Sequence, residues 1–205
     1  MFRLRIGEKN QSKLTWAVTA VVVAVVSVLA LNTYVIKPKA VEVSNENAKA
    51  VTYFMQGDWE KALNGDDAEC IGFQAIADDY KMFQGGKLAA LYAGVCYYQM
   101  GQYEDAAVYL SKFSSDDLTV EPAALQLLGD AYVQMEEYSK AAKAFEAVAK
   151  SGNEMIAPMS LKKAGFVYLE LGNKSAAKKA FETIKADYPN STEAQGIEKY
   201  IAIAE

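Results

Sequence analysis

Ala93-Gly94-Val95-Cys96-Tyr97-Tyr98-Gln99-Met100-Gly101-Gln102-Tyr103-Glu104-Asp105-Ala106-Ala107-Val108-Tyr109-Leu110 is the stretch whose reading decides the fold. It reads as helix, tight turn, helix, and its pattern returns twice. Gly94, Tyr97, Ala106 and Leu110 correspond to Gly129, Tyr132, Ala141 and Phe145, and then to Gly165, Tyr168, Ala177 and Phe181. The copies are 35 and 36 residues apart, with identical internal offsets. Small, aromatic, small and apolar residues at fixed offsets with such a period signal an array of helical hairpins. The small residues stand where two helices must approach closely. Glycine inside a helix costs ~1 kcal/mol against alanine, so close packing is the expected compensation, and the nine positions Gly94, Tyr97, Ala106, Gly129, Tyr132, Ala141, Gly165, Tyr168 and Ala177 are assigned to structure.

Outward from this stretch, regular repeats are expected at about 86–113, 121–150 and 157–188. A fourth, distorted copy precedes them at about 45–80: Ala50, Tyr53, Gly57, Trp59 and Ala62 occupy the offsets of Gly94, Tyr97, Gly101, Tyr103 and Ala106. Asn64-Gly65-Asp66-Asp67 should break its second helix, since Asn-Gly favours a turn. Helix should resume from about Glu69 to Tyr80. Pro122 and Pro158 lie near helix starts, where a missing N–H is harmless. Pro189 with Asn190-Ser191 stops the last repeat. One amphipathic helix, 193–204, is expected to cap the open end with Ile197, Tyr200, Ile201 and Ala204 on one side.

These motifs resemble the tetratricopeptide repeat (TPR), whose pattern is L-G-x2-Y, then A-x3-F, then P. Leu128-Gly129 and Pro189 match even its less constant positions. Ala93 and Ala164 depart from its leucine, Leu110 from its phenylalanine, and Glu136 from the turn glycine present at Gly101 and Gly172. The resemblance implies an all-α solenoid in which the first helix of each repeat (A) lines a concave groove and the second (B) lies behind it. Carried onto this sequence, the groove falls on Leu88, Leu91, Val95, Tyr98 and Gln99; on Gln126, Asp130 and Val133; and on Met159, Lys162, Phe166 and Leu169. Some arrays of this family clamp a terminal carboxylate with Lys, Asn and Arg. Leu91, Val95, Gln126 and Asp130 replace those residues here, which argues against that mode. Tyr98, Met159 and Phe166 stand out as apolar anchors, suited to hydrophobic or incompletely folded peptides.

The 205 residues carry a net charge of −5, unevenly spread. Arg3, Arg5, Lys9 and Lys13 against Glu8 give residues 1–36 a charge of +3, leaving 17 basic and 25 acidic residues, −8, for the rest. An acidic body argues against nucleic-acid binding. Trp16 to Ile36 is 21 residues without a charge. At ~1.5 Å per residue it spans about 30 Å, the thickness of a hydrocarbon core, and Trp16 and Tyr34 sit at its ends as interfacial residues do. Val28-Leu29-Ala30 would suit a signal-peptide cleavage site, but the apolar run continues to Ile36, so 16–36 is read as an uncleaved transmembrane helix. Residues 1–15 form a basic tail and 37–44 a polar link, with a helix starting near Ser44. Four Lys/Arg before the span against Lys37 and Lys39 after it favour a cytoplasmic N-terminus.

No catalytic constellation emerges. Histidine is absent, which removes the commonest general base and metal ligand. Cys70 and Cys96 form no metal-spaced pair; they are read as inert core thiols, or as a disulfide if the compartment is oxidising. The carboxylate pairs Asp66-Asp67, Asp78-Asp79, Asp116-Asp117 and Glu136-Glu137 lie in turns or on helix edges as solvated charge. No calcium loop or phosphate cradle occurs. The reading is a non-enzyme with no cofactor and no metal.

The basic tail, single span and acidic repeat array together resemble the YfgM-like, SecYEG-associated proteins of bacterial inner membranes, with repeat phrasing similar to TPR proteins of Bacteroidota (Ala62-Leu63-Asn64-Gly65-Asp66; Asp187-Tyr188-Pro189-Asn190-Ser191). This resemblance implies a periplasmic TPR domain beside the Sec translocon, cooperation with a membrane-anchored peptidyl-prolyl isomerase of the PpiD type, and hand-over of nascent exported chains to chaperones. A structural scaffold for another envelope assembly, in division or secretion machinery and without client binding, is the competing reading.

Overall fold

A computed structural model describes residues 8–66 and 69–205. Arg3 and Arg5 of the basic tail and Asp67 of the first carboxylate pair lie outside the described residues. Those described are all-helical: α1 (Glu8–Leu31), α2 (Lys37–Met55), α3 (Trp59–Asn64), α4 (Gly72–Asp79), α5 (Gln84–Gln99), α6 (Tyr103–Leu110), α7 (Val120–Gln134), α8 (Tyr138–Ala149), α9 (Ala157–Glu170), α10 (Lys174–Asp187) and α11 (Glu198–Ile203). They divide into an N-terminal unit ending at Asn45 and a second unit, Glu46–Glu205.

In the first unit, helix runs without interruption from α1 into α2 through a π-helical turn, Asn32–Ile36. The segment Thr15–Met55, 41 residues, is long and apolar enough to cross a membrane by length and composition, and none of its most apolar window is buried within the protein. The polar link 37–44 is itself helical, so α2 does not begin at Ser44 as its sequence suggested. Two local features explain this. The π-turn sits immediately before Pro38, whose ring would otherwise meet the carbonyl four residues back. Lys39 then pairs with Glu42 one turn on, at 2.9 Å, and no glycine interrupts the segment.

The second unit contains the array. Within each regular repeat the glycine of helix A faces the apolar residue sixteen positions later on helix B. A Cβ built on Gly94 would lie 2.6 Å from Leu110 Cγ; on Gly129, 2.5 Å from the Phe145 ring; on Gly165, 2.3 Å from the Phe181 ring. Phe145 and Phe181 are fully buried and Leu110 nearly so. Burying each ring is worth about 2–3 kcal/mol, against ~1 kcal/mol for the helical glycine that makes room for it. Around them close Ala141, Ala142, Ala164 and Val167 in one cluster and Ala177, Ile184, Ile197 and Ala204 in the next. Tyr168 packs against both, joining consecutive repeats.

The A–B turns need one residue in the left-handed region. Gly57, Gly101 and Gly172 supply it at φ of 75°, 75° and 69°, and Glu136 takes the same place at φ 58°. A Cβ at Gly101 or Gly172 would meet nothing within 4 Å, so the demand there comes from backbone conformation and not from crowding.

The first repeat departs from the rule. Its B helix stops at Asn64, with Gly65 at φ 84°. α4 follows after the break and packs on α5 together with α3. Phe73 and Ile76 of α4 are fully buried, and Phe73 stacks on Tyr92 at 4.8 Å while Phe54 meets both rings edge-on. The C-terminal cap is also shorter than the single helix over 193–204 that its periodicity predicts. A 3-10 turn (Thr192–Ala194) gives way to extended Gln195 and to Gly196 at φ 68° before α11 begins. The four cap residues still converge on the core: Ile197 and Ala204 are buried, and Tyr200 and Ile201 pack against Phe181 and its neighbours.

Candidate functional site: the face of the A helices

α5, α7 and α9 form consecutive walls of one face. α5 touches α7 directly, and two side-chain bridges join α7 to α9. Ser160 Oγ donates to Gln126 Oε1 at 2.8 Å, and Lys163 Nζ donates to both Asp130 carboxylate oxygens at 2.7 Å. Ser160 is fully buried. Lys163 also lies 5.7 Å from the centre of the Phe145 ring. Gln126 and Asp130, assigned to the groove, therefore work as ties between adjacent A helices. Ser160 and Lys163 were missed by the sequence reading. A signal for them exists: they follow their partners by 34 and 33 residues, close to one repeat period, which is the separation of neighbours on stacked A helices.

The apolar positions divide by accessibility. Leu88, Met159 and Phe166 are exposed at 39, 44 and 38%. Leu91, Val95, Tyr98, Val133 and Leu169 are half-buried, and Gln99 is exposed. Tyr98 meets Tyr103 edge-on at 5.3 Å, which holds the ring in place while leaving part of it open. Phe166 is held edge-on by Phe181 at 5.6 Å and by Tyr200 of the cap at 4.9 Å. Lys162 Nζ lies 5.5 Å from the Tyr200 ring centre, so the cap occupies part of the third repeat's face. Two apolar sections remain, around Leu88 and Tyr98 and around Met159 and Phe166, with the paired Gln126 and Asp130 between them.

Elsewhere the reactive groups have structural work. Cys70 and Cys96 are buried free thiols. Burial pushes the Cys96 thiol up to about 12 and raises Cys70 as well, so neither forms the thiolate a nucleophile needs at neutral pH. Asp117, in the turn before α7, accepts from the Thr119 and Val120 N–H groups at 2.8 and 2.9 Å, and those bonds lower its carboxyl. Asp78 accepts from Tyr109 Oη at 2.7 Å and Lys112 Nζ at 2.8 Å. Partial burial raises its carboxyl, but these two donors outweigh it and leave it lowered. A cavity of about 330 Å³ lies on the B-helix side, lined by residues including Glu146, Lys150, Tyr168 and Thr183. Tyr168 donates its hydroxyl to Glu146 there, and Lys150 pairs with the same carboxylate at 3.5 Å.

Tetratricopeptide-repeat family profiles match residues 88–116, 122–151 and 161–191, which are the three hairpins just described. The chain carries tetratricopeptide repeats in an all-α solenoid, and such repeats indicate a protein-interaction adaptor or scaffold. Its fold is similar to two crystal structures of MamA. One has a TM-score of 0.57 and 21% identity over 79% of this chain and 80% of that one. The other has a TM-score of 0.52 and 21% identity over 76% and 91%. The nearly identical TPR-like repeats of a Podosopora anserina protein described as a kinesin light chain align with a TM-score of 0.55 and 16% identity, over 80% of this chain and 85% of that one. At these identities the likeness is one of fold. No curated protein matches the sequence.

Proposed function

We propose that this protein is a non-enzymatic adaptor, held in a bacterial inner membrane by residues 16–36 and presenting the TPR array, 45–205, to the periplasm. The observation that carries the reading is the pairing of two features in one chain. One is a long apolar helix whose side chains find no cover within the protein. The other is an A-helix face that leaves Leu88, Met159 and Phe166 open. An all-round apolar helix requires a non-aqueous surrounding, and an open apolar strip on a rigid array suits extended or incompletely folded polypeptide. The excess of basic residues before the span supports a cytoplasmic N-terminus.

Within that reading, the array receives exported chains near the SecYEG translocon, works beside a PpiD-type isomerase and passes clients to periplasmic chaperones. Support for this is the layout: basic tail, one span, acidic array. Affinity purification in mild detergent is the test; absence of SecYEG and the isomerase from the recovered complex overturns the translocon assignment. A photo-crosslinker placed at Tyr98 or Phe166 distinguishes the two modes of use. Adducts with many exported chains support client binding, whereas one stable partner supports a scaffold in another envelope assembly.

A further inference from the structure

Three exposed apolar side chains stand in register along one edge of the array. Met82, Leu118 and Met155 are 86, 70 and 88% exposed, and each lies two residues before an A helix, α5, α7 or α9. Hydrogen bonds align the segments that carry them. Asn47 Nδ2, in the A helix of the first repeat, donates to the Gly85 carbonyl at 2.9 Å. Lys87 Nζ donates to Ser114 Oγ at 3.1 Å, and Asn153 Nδ2 donates to the Leu118 carbonyl at 2.8 Å. The three side chains thus form a row at the edge where the A helices begin. The chain itself enters the array at that edge, through the A helix of the first repeat. Only residues 37–45, all helical, link the array to the apolar span, a length of about 14 Å at helical rise.

We propose that this edge rests on the lipid bilayer that holds the span, with Met82, Leu118 and Met155 inserted at the boundary between headgroups and acyl chains. The inference rests on the reading of residues 16–36 as an uncleaved membrane helix. A lipid surface is the occupant favoured by three unbranched or singly branched apolar side chains on loops: at 70–88% exposure they protrude from the surface, and they match an interface that accepts apolar groups along a line. Charges of both signs flank the row, Lys81 and Lys87 with Asp116, Asp117 and Glu154. Insertion therefore depends on apolar burial and not on anionic lipid, and it persists in high salt. The opposite edge also exposes Met55 and Leu171, but Met100 and Met135 between them are half-buried, and the chain does not enter there.

The test uses the full chain in phosphatidylcholine nanodiscs. Cys70 and Cys96 are buried, so an added surface cysteine takes a nitroxide label selectively. Labels at Met82→Cys, Leu118→Cys and Met155→Cys are compared with Gln102→Cys and Lys174→Cys on the opposite edge, and with Val22→Cys in the span. Collision with oxygen, which concentrates in lipid, is measured against collision with a water-soluble nickel chelate. The expected result is an oxygen-to-nickel ratio severalfold higher at the three row positions than at the opposite edge. Ratios equal to the opposite edge, with Val22→Cys in lipid, overturn the docking while leaving the anchor intact. A water-accessible Val22→Cys overturns the anchor and the docking together. Shielding of the row from nickel only in native membranes, with no gain in oxygen contact, overturns lipid docking in favour of a protein partner.

Discussion

The first repeat and the two that end the array use the same sixteen-residue spacing for opposite purposes. In the later repeats the spacing joins Gly129 to Phe145 and Gly165 to Phe181, and a buried ring fills the space the glycine leaves. In the first repeat it joins Ala50 to Asp66. That carboxylate breaks the helix and organises the break, accepting from the Tyr53 hydroxyl at 2.5 Å and from the Glu69 and Cys70 N–H groups at 2.7 and 3.0 Å. The apolar knob is then delivered by Phe73, from α4, after the turn. A solenoid can thus cut a helix short at one position and recover the burial from the next element, provided a polar residue satisfies the opened backbone.

The largest expected effects come from removing the knobs. Phe145→Ala and Phe73→Ala should each destabilise by about 3–5 kcal/mol in urea unfolding. A much smaller loss for Phe73→Ala would mean that α4 is an appendage and not a replacement for helix B. Next come the small residues opposite. Gly129→Ala should destabilise by about 1–3 kcal/mol, because a fully buried ring cannot retreat from the new methyl. A gain in stability there would remove the packing account of the glycine. Ala50→Gly, which removes a fully buried methyl, should cost about 1–2 kcal/mol through helix propensity and lost burial.

Turn conformation gives a smaller effect of opposite sign. Glu136 alone among the four equivalent turn residues has a Cβ at positive φ, and Glu136→Gly should stabilise by about 1 kcal/mol. The same exchange in reverse, Gly101→Glu, should lose a similar amount. Thermal melts of the two variants would read both signs.

The smallest difference concerns alkaline pH. Burial, then the bond to Glu146, pushes the Tyr168 hydroxyl up to about 12, while the bond to Asp66, then burial, raises Tyr53. A phenol whose folded pKa lies above its ordinary value of 10 stabilises the fold fully below pH 10. That contribution is lost as pH climbs towards the folded value. Tyr168→Phe should therefore flatten the fall in unfolding midpoint between pH 10 and 12 more than Tyr53→Phe does. Equal slopes would show that the two hydroxyls sit in equivalent surroundings.

The chain itself, through its 35- and 36-residue periods, determined the helical hairpins, the three regular repeats and the place of the turns. These depend on local spacing, and a repeated local solution stacks on itself. It determined equally the 21 uncharged residues from Trp16 to Ile36, because length and hydropathy are additive along a helix. Tertiary structure decided what several of those residues do. Gln126 and Asp130 look like groove contacts until Ser160 and Lys163 arrive from the next repeat. Phe166 looks fully open until Tyr200 of the cap leans on it. The row of Met82, Leu118 and Met155 has no motif at all, since its members stand 12, 11 and 10 residues before their glycines. They align only when the loops that carry them are laid side by side by hydrogen bonds between repeats. Contacts of that kind are made between segments far apart in the chain, where packing in three dimensions and not periodicity sets the partner.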